Sequence, residues 1–123
     1  MIADTSIWID FFRGKTGDDL DLFRRGLNDG QVVMAPAVLS ELLSSTKLTG
    51  AMEKSLCEME FAEPFSDFWS GCGKLRRRLT KMGFNASLAD CLVVQSCLER
   101  GLPLLTRDQG IKKFGPKIGL LLL

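Results

Sequence analysis

Histidine and tyrosine are both absent from this chain of 123 residues. The lack of histidine excludes Ser-His-Asp and Cys-His catalysis and any histidine-ligated zinc site, so a reaction would need carboxylates, hydroxyls, amines or a bound metal. No apolar run approaches the roughly 20 residues that would span a membrane, and the N-terminus lacks the pattern of a secretory signal. A net charge of +1 gives no overall attraction to nucleic acid, so a polyanion would need local basic patches.

Cysteine is present but shows no CxxC pair among Cys57, Cys72, Cys91 and Cys97. Each cysteine lies within an apolar pattern, which favours buried free thiols in a reducing cytoplasm over a zinc site or a disulfide framework. We therefore expect a cytoplasmic chain.

Short apolar strands alternate with helices along the chain. Strand patterns cover residues 1–3, 32–34, 104–105 and 118–122, and more weakly 57–61. Helical spacing and glycine stops predict helices over residues 5–13, 18–28, 36–45, 51–56, 66–81 and 87–100. Such alternation is typical of a parallel sheet covered by helices on both faces. We predict one domain over residues 1–123, with a three-layer α/β/α architecture and a short, mainly parallel central sheet.

Four acidic residues are directed to one edge of that predicted sheet. Asp4 and Asp108 each follow a strand, whereas Asp90 and Glu41 lie in the first two turns of helices. Crossover helices run antiparallel to the strands, so strand ends and helix starts share the carboxyl edge. We expect the four carboxylates to converge on one rim.

Converging carboxylates repel one another and raise one another's pKa unless a cation lies among them. Oxygen ligands without nitrogen or sulfur suit Mg²⁺ or Mn²⁺, and a metal-bound water can attack a phosphodiester. Ser6 and Thr106 add neutral oxygens at the same rim, and Thr5 or Ser6 is expected to cap the first helix. The pattern therefore predicts a metal site.

Each acid also has a purely structural interpretation. Asp4 could cap a helix, and Asp90 stands at capping-box spacing from Ser87. Asp108 could cap a short helix, and Glu41 could simply face solvent. The agreement of all four on one edge favours the metal site.

A basic run occupies the helix that precedes Asp90. It consists of Lys74, Arg76, Arg77, Arg78 and Lys81, opposite an apolar side predicted to contain Trp69, Cys72, Leu75 and Leu79. The run is either an ordinary solvated face or a flank that holds phosphates and guides RNA into the acidic groove.

Three segments resemble the PIN-domain family, and specifically the VapC-type toxins of toxin–antitoxin pairs. They are IADTSIWIDFFRG near the start, APAVLSELL, and GFNASLADCLVVQSCLERGLPLLTRDQGIKKF towards the end. Together they cover somewhat under half of the chain in the family's order. The last segment is the most specific, because an acid opens an apolar helix that leads into LLTRD. Residues 46–63 match no pattern of the family.

The resemblance implies a metal-dependent endoribonuclease. Asp4, Glu41, Asp90 and Asp108 match the family's acids that bind Mg²⁺ or Mn²⁺, and Ser6 and Thr106 match its supporting hydroxyls. It further implies a homodimer and inhibition by a cognate antitoxin whose tail enters the acidic groove.

Three other functions would use parts of the same pattern. An aspartyl-phosphate phosphatase needs a second acid two residues after the first, where Ser6 stands, and a phospho-receiver domain needs an aspartate near residues 57–62, where there is none. The third is a non-catalytic RNA- or ribosome-binding protein of the same fold, which would not need Mg²⁺.

Overall fold

The computed structural model describes residues 1–123. Two strands, seven α-helices and one 3₁₀ turn follow one another in the order β1 (Ile2–Ala3), α1 (Thr5–Phe12), α2 (Asp18–Asn28), α3 (Pro36–Leu43), α4 (Gly50–Cys57), α5 (Phe68–Lys81), α6 (Leu88–Arg100), β2 (Leu104–Leu105), α7 (Gln109–Phe114) and the 3₁₀ turn Gly115–Ile118. The predicted α/β alternation is confirmed.

The sheet is parallel and very short. Strands β1 and β2 pair directly, and single parallel bridges join Ile2 to Val33, Met34 to Phe61, and Leu104 to Leu122. In space, the five segments therefore follow the order third, second, first, fourth, fifth. The chain crosses in opposite directions on the two sides of the β1–β2 pair, and in open α/β sheets this switch point is where ligand sites form.

Two predicted strands shrink to single bridges. Cys57 belongs to α4, and only Phe61 of residues 57–61 pairs with the sheet. At the other end, Ile118 closes a 3₁₀ turn and Gly119 has a φ of 80°, so the contact with β2 is limited to a single bridge at Leu122. The predictions of strands over 57–61 and 118–122 are therefore wrong in extent.

Local sequence signals account for the longest buried helix. The Ser87 hydroxyl accepts the Asp90 N–H at 3.0 Å and caps α6, and Gly101 ends the helix with a φ of 62°. The helix between them buries Val93, Val94 and Cys97, as its apolar sequence predicts. Asp90 is thereby held in the first turn of a helix whose position is fixed by the core.

One hydrophobic core contains 27 buried residues, which come from both strands and from the helices around them. Trp8 packs edge-on against the fully buried Phe23, with ring centroids 4.7 Å apart. Trp69 was predicted on the buried side of its helix, but it is 68% exposed because the helix turns only Phe68, Cys72, Leu75 and Leu79 inwards.

All four cysteines are free, as predicted, and three of them are buried; Cys57 is exposed. None of the helices has the length and apolar character needed to cross a bilayer.

Candidate active site

Asp4 is the most firmly held acid of the carboxyl edge. It follows β1, caps α1 and is only 7% exposed. Its carboxylate accepts the Thr106 hydroxyl at 2.7 Å, the Thr5 N–H at 2.7 Å and the Ser6 hydroxyl at 3.1 Å. Asp4 itself is the N-cap residue, so the prediction that Thr5 or Ser6 caps α1 is wrong. A carboxylate offers about four acceptor positions, so one remains for a further ligand.

Thr106 connects the two strand ends. It is 3% exposed, and while its hydroxyl donates to Asp4, the same oxygen accepts the Asp108 N–H at 3.0 Å. Asp108 in turn caps α7, because its carboxylate accepts the Ile111 N–H at 2.9 Å. The capping interpretation of Asp108 is thus confirmed, and it coexists with a place beside Asp4.

Glu41 reaches the rim from α3. Its side chain is exposed, and its Oε1 accepts the Thr5 hydroxyl at 2.9 Å. Since the Thr5 N–H donates to Asp4, one threonine links two of the predicted acids. Sequence reasoning assigned Thr5 only to a helix cap and missed this link.

The pKa of Asp90 is affected by the charges of all three other acids. Burial raises the pKa of its carboxyl, a hydrogen bond from Ser87 partly opposes the rise, and repulsion from Asp108, Asp4 and Glu41 adds to it. The structure therefore brings the four predicted carboxylates into one electrostatic neighbourhood. Burial has the larger effect on Asp90, and the repulsion among the four carboxylates adds to it.

Arg107 lies between Thr106 and Asp108 in the chain, but its side chain points away from the rim. Its guanidinium donates to Asp19 at 2.6 and 2.7 Å, to Asp10 at 2.9 Å and to the Thr16 carbonyl at 3.3 Å. These bonds raise the pKa of Arg107 further and lower the pKa of the Asp19 carboxyl. Sequence reasoning missed this network, although the arginine within LLTRD was the available signal.

None of the four rim acids forms an ion pair. The five salt bridges of the protein join Lys15 and Arg107 to Asp10, Arg107 to Asp19, Arg24 to Asp21, and Lys54 to Glu58. The rim is therefore a concentration of negative charge without an internal counter-ion.

The donor set fits a hard divalent cation in an open site. No three acidic or cysteine side chains are close enough to enclose a metal ion by themselves. Mg²⁺ is commonly held by one or two carboxylates, with waters and substrate phosphates completing its shell. Burial raises the pKa of the adjacent Cys91 thiol to about 11, so this sulfur stays protonated and the available ligands are oxygens.

The basic run lies beside the rim only in part. All five of its residues are exposed, and the Arg76 Nε donates to the Ala86 carbonyl at 3.1 Å, next to the start of α6. Lys74 and Arg78 instead line a cleft of about 540 Å³ with Gln95 and Glu99, further along α6. The exposure of the run agrees with a solvated face and with a phosphate-holding flank alike, and Arg76 is the member fixed near the start of α6.

The PIN domain family model matches residues 1–116. The chain therefore belongs to the PIN-domain family, and the predicted PIN-like fold is confirmed. No curated protein matches the chain at the sequence level.

Solved toxin–antitoxin structures share this fold. VapBC-1 from nontypeable Haemophilus influenzae superposes with a TM-score of 0.74 at 19% identity, over 99% of this chain and 95% of that one. VapBC2 from Rickettsia felis, bound to a promoter DNA fragment, gives 0.72 at 18% identity over 99% and 96%. VapBC-5 from Mycobacterium tuberculosis gives 0.69 at 20% identity over 99% and 95%.

Proposed function

We propose that this chain is a Mg²⁺- or Mn²⁺-dependent endoribonuclease of the VapC toxin type, with residues 1–123 forming one nuclease domain that acts in the cytoplasm. The observation that supports the proposal most strongly is the rim of four carboxylates, drawn from four parts of the chain and lacking any cationic partner. A protein has little reason to keep such repulsion at a switch point of its sheet unless a cation or a cationic partner relieves it.

The one or two carboxylates that bind the metal directly would come from Asp4, Asp90 and Asp108, assisted by Glu41, with waters completing its shell. When bound, the cation would supply the water activation and charge stabilisation that hydrolysis of an RNA phosphodiester requires. The chain's own hydroxyls orient the ligands, since Thr106 and Ser6 fix Asp4 and Thr5 fixes Glu41. Such hydrogen bonds to ligating carboxylates set their direction and tune their affinity.

RNA would reach the negative rim with help from the basic run. The proposed phosphate contacts are Lys74, Arg76, Arg77, Arg78 and Lys81, which are all exposed on α5. Their local positive charge would offset the repulsion between the phosphates and the rim, which a net charge of +1 cannot do.

A cognate antitoxin is proposed to occupy the groove that starts at Glu41. This groove of about 440 Å³ is lined by apolar side chains such as Ile9 and Leu42 and by the cations Arg13 and Lys47, and an adjoining cavity of about 590 Å³ continues along α1 and α4. A segment with several apolar side chains, a basic group for Glu41 and acidic groups for the two cations would match this lining. The antitoxin complexes among the structures that share the fold support this partner.

A homodimer is proposed through the exposed apolar residues near the start of α5 and α6. Trp69 is 68% and Leu88 53% exposed, beside a cleft of about 290 Å³ lined in part by Ala89 and Leu92. Exposed aromatic patches of this kind mark interaction surfaces. Trp69→Ser should shift the chain towards monomer in sedimentation, whereas Leu121→Ser, at another exposed leucine, should leave its mass unchanged.

Cleavage of a labelled RNA of defined length tests the activity. The purified chain should cut it with Mg²⁺ or Mn²⁺, a chelator should stop the reaction, and Asp4→Ala or Asp90→Ala should abolish it in a folded protein. Asp21→Ala is the matched control, because Asp21 pairs only with the exposed Arg24 at 3.3 Å. Wild-type cleavage by a variant lacking both Asp4 and Asp90 would contradict the proposal.

The same assay separates the non-catalytic alternative. A protein that only binds RNA or ribosomes would retain its effect in the presence of a chelator and would leave the RNA intact.

A further inference from the structure

Arg107 occupies an unusual place for a cation. It lies between Thr106, which donates to Asp4, and Asp108, which is itself one of the rim acids. Its backbone N–H donates to the Ser6 hydroxyl at 3.2 Å, and Ser6 in turn donates to Asp4. The main chain of Arg107 thus belongs to the rim, while its side chain leaves it.

The guanidinium is held elsewhere by a closed set of charges. Asp19 accepts two of its N–H groups, Asp10 accepts a third, and Lys15 pairs with the other oxygen of Asp10 at 2.8 Å. Two cations thus meet two anions, which leaves no formal charge over. Two parallel bonds to one carboxylate also fix the orientation of an arginine as well as its position.

The chain makes room for this arrangement at Gly17. A Cβ atom there would lie 2.7 Å from Asp19 Oδ1 and 2.9 Å from the Arg107 guanidinium, and Gly17 has a φ of 148°. The backbone of the α1–α2 connection, through Gly17 and the Thr16 carbonyl, is therefore shaped around the guanidinium.

We propose that Asp10 and Asp19 are positioning residues that hold the Arg107 guanidinium away from the rim, so that the metal site has no internal counter-ion. The inference rests on the proposed function, because it assumes that the rim acids bind a metal. A guanidinium released from both aspartates would have Asp108 next to it in sequence and would compete with the metal for the carboxylates.

The proposal predicts an unusual pattern among variants. Asp10→Asn/Asp19→Asn should weaken Mn²⁺ binding, even though neither residue is a proposed ligand. Adding Arg107→Gln to that variant should restore Mn²⁺ affinity, because the competing cation is gone. If the network only braced the fold, removing its last member would worsen the loss instead.

The experiment is a calorimetric titration of the full chain with Mn²⁺ at low ionic strength. We expect the double variant to bind Mn²⁺ about tenfold more weakly, which is the low end of the effect of a cation brought within 4–6 Å of a carboxylate. The triple variant should return to within about twofold of the wild-type affinity, a factor that corresponds to about 0.4 kcal/mol. Asp18→Asn/Asp21→Asn is the control, because it removes two exposed charges from the same helix turn without contacting Arg107, and it should match wild type.

A second measurement does not depend on metal binding. A crystal structure of metal-free Asp10→Asn/Asp19→Asn should place the Arg107 guanidinium on Asp4 or Asp108. A guanidinium left in solvent or on the substituted side chains would overturn the inference, as would a triple variant weaker than the double. Absence of Mn²⁺ binding and RNA cleavage in the wild type would instead refute the proposed function, and the crystal structure would still decide where the guanidinium goes.

Discussion

The Thr106 hydroxyl offers a quantitative test of how the rim is held together. It donates to Asp4 at 2.7 Å and accepts the Asp108 N–H at 3.0 Å, and the residue is 3% exposed. Thr106→Val preserves the shape of the side chain and removes both bonds. A bond to a charged group contributes about 1.5–3 kcal/mol and a neutral one about 0.5–1.5 kcal/mol, so the free energy of unfolding should fall by about 2–4.5 kcal/mol.

The assay is urea unfolding followed by circular dichroism, in the presence of a chelator so that metal binding does not contribute. Thr80→Val is the control, since Thr80 is exposed and its hydroxyl donates only to the Arg76 carbonyl of its own helix, at 3.0 Å. We expect the control to change the unfolding free energy by less than about 0.5 kcal/mol. Equal stability of the two variants would refute the reasoning, because it would mean that the Thr106 hydrogen bonds stabilise the fold no more than hydrogen bonds from water would.

Three further predictions concern the charged groups and Gly17. Asp90→Asn should stabilise the metal-free protein at pH 7. Burial raises the pKa of Asp90 in the folded state, so the stability that this carboxyl contributes is present below its unfolded pKa of roughly 3.9 and is lost as the pH rises through the folded pKa. The uncharged amide of asparagine avoids that loss. Asp19→Asn should lower the stability at pH 7 but match wild type in acid. The hydrogen bonds from Arg107 hold the pKa of Asp19 below its unfolded value, so the stability that Asp19 contributes disappears as the pH falls through its folded pKa. Urea unfolding measured at several pH values checks the direction of both effects. Gly17→Ala should lower the stability measured by thermal unfolding by about 1–3 kcal/mol, because its φ of 148° disfavours a side chain. Gly83→Ala is the control: its φ is 88° but no atom lies within 4 Å of an added Cβ, so it shows the effect of φ alone.

The positions of the four acids could be predicted, because the topology of the fold alone places them at one edge of the sheet. Once strands and helices alternate, the residues after β1 and β2 and those at the start of α3 and α6 must share an edge. Asp4, Glu41, Asp90 and Asp108 could therefore be chosen from their positions in the chain, without knowing a single distance. The metal-ligand role of these acids stays a prediction.

The outer strands were harder to anticipate, because their pairing is a property of the sheet and not of the segment. Phe61 and Leu122 each make one bridge, so neither neighbouring sequence needs to be extended. The apolar run at the C-terminus is instead broken at Gly119, whose φ of 80° follows the 3₁₀ turn. Apolar content alone does not distinguish a strand from a single pairing contact.

Arg107 shows a different limit of sequence reasoning. Its partners Asp10 and Asp19 lie 97 and 88 residues away in the chain, so no local pattern connects them. From the sequence, Asp19 is part of an acidic helix start, and Asp10 is either a charge on a helix face or a neighbour of the site. Long-range ion pairs depend on how α1, α2 and β2 pack, which the sequence does not state locally.

The most direct test of the central claim is a crystal structure of the full chain grown with millimolar Mn²⁺ and measured at the manganese absorption edge. We predict an anomalous peak at the rim, within coordination distance of carboxylate oxygens of Asp4, Asp90 or Asp108. The peak should vanish in Asp4→Ala crystals of the same form. A manganese-free rim in the wild-type crystal, or a peak unchanged by Asp4→Ala, would contradict the account.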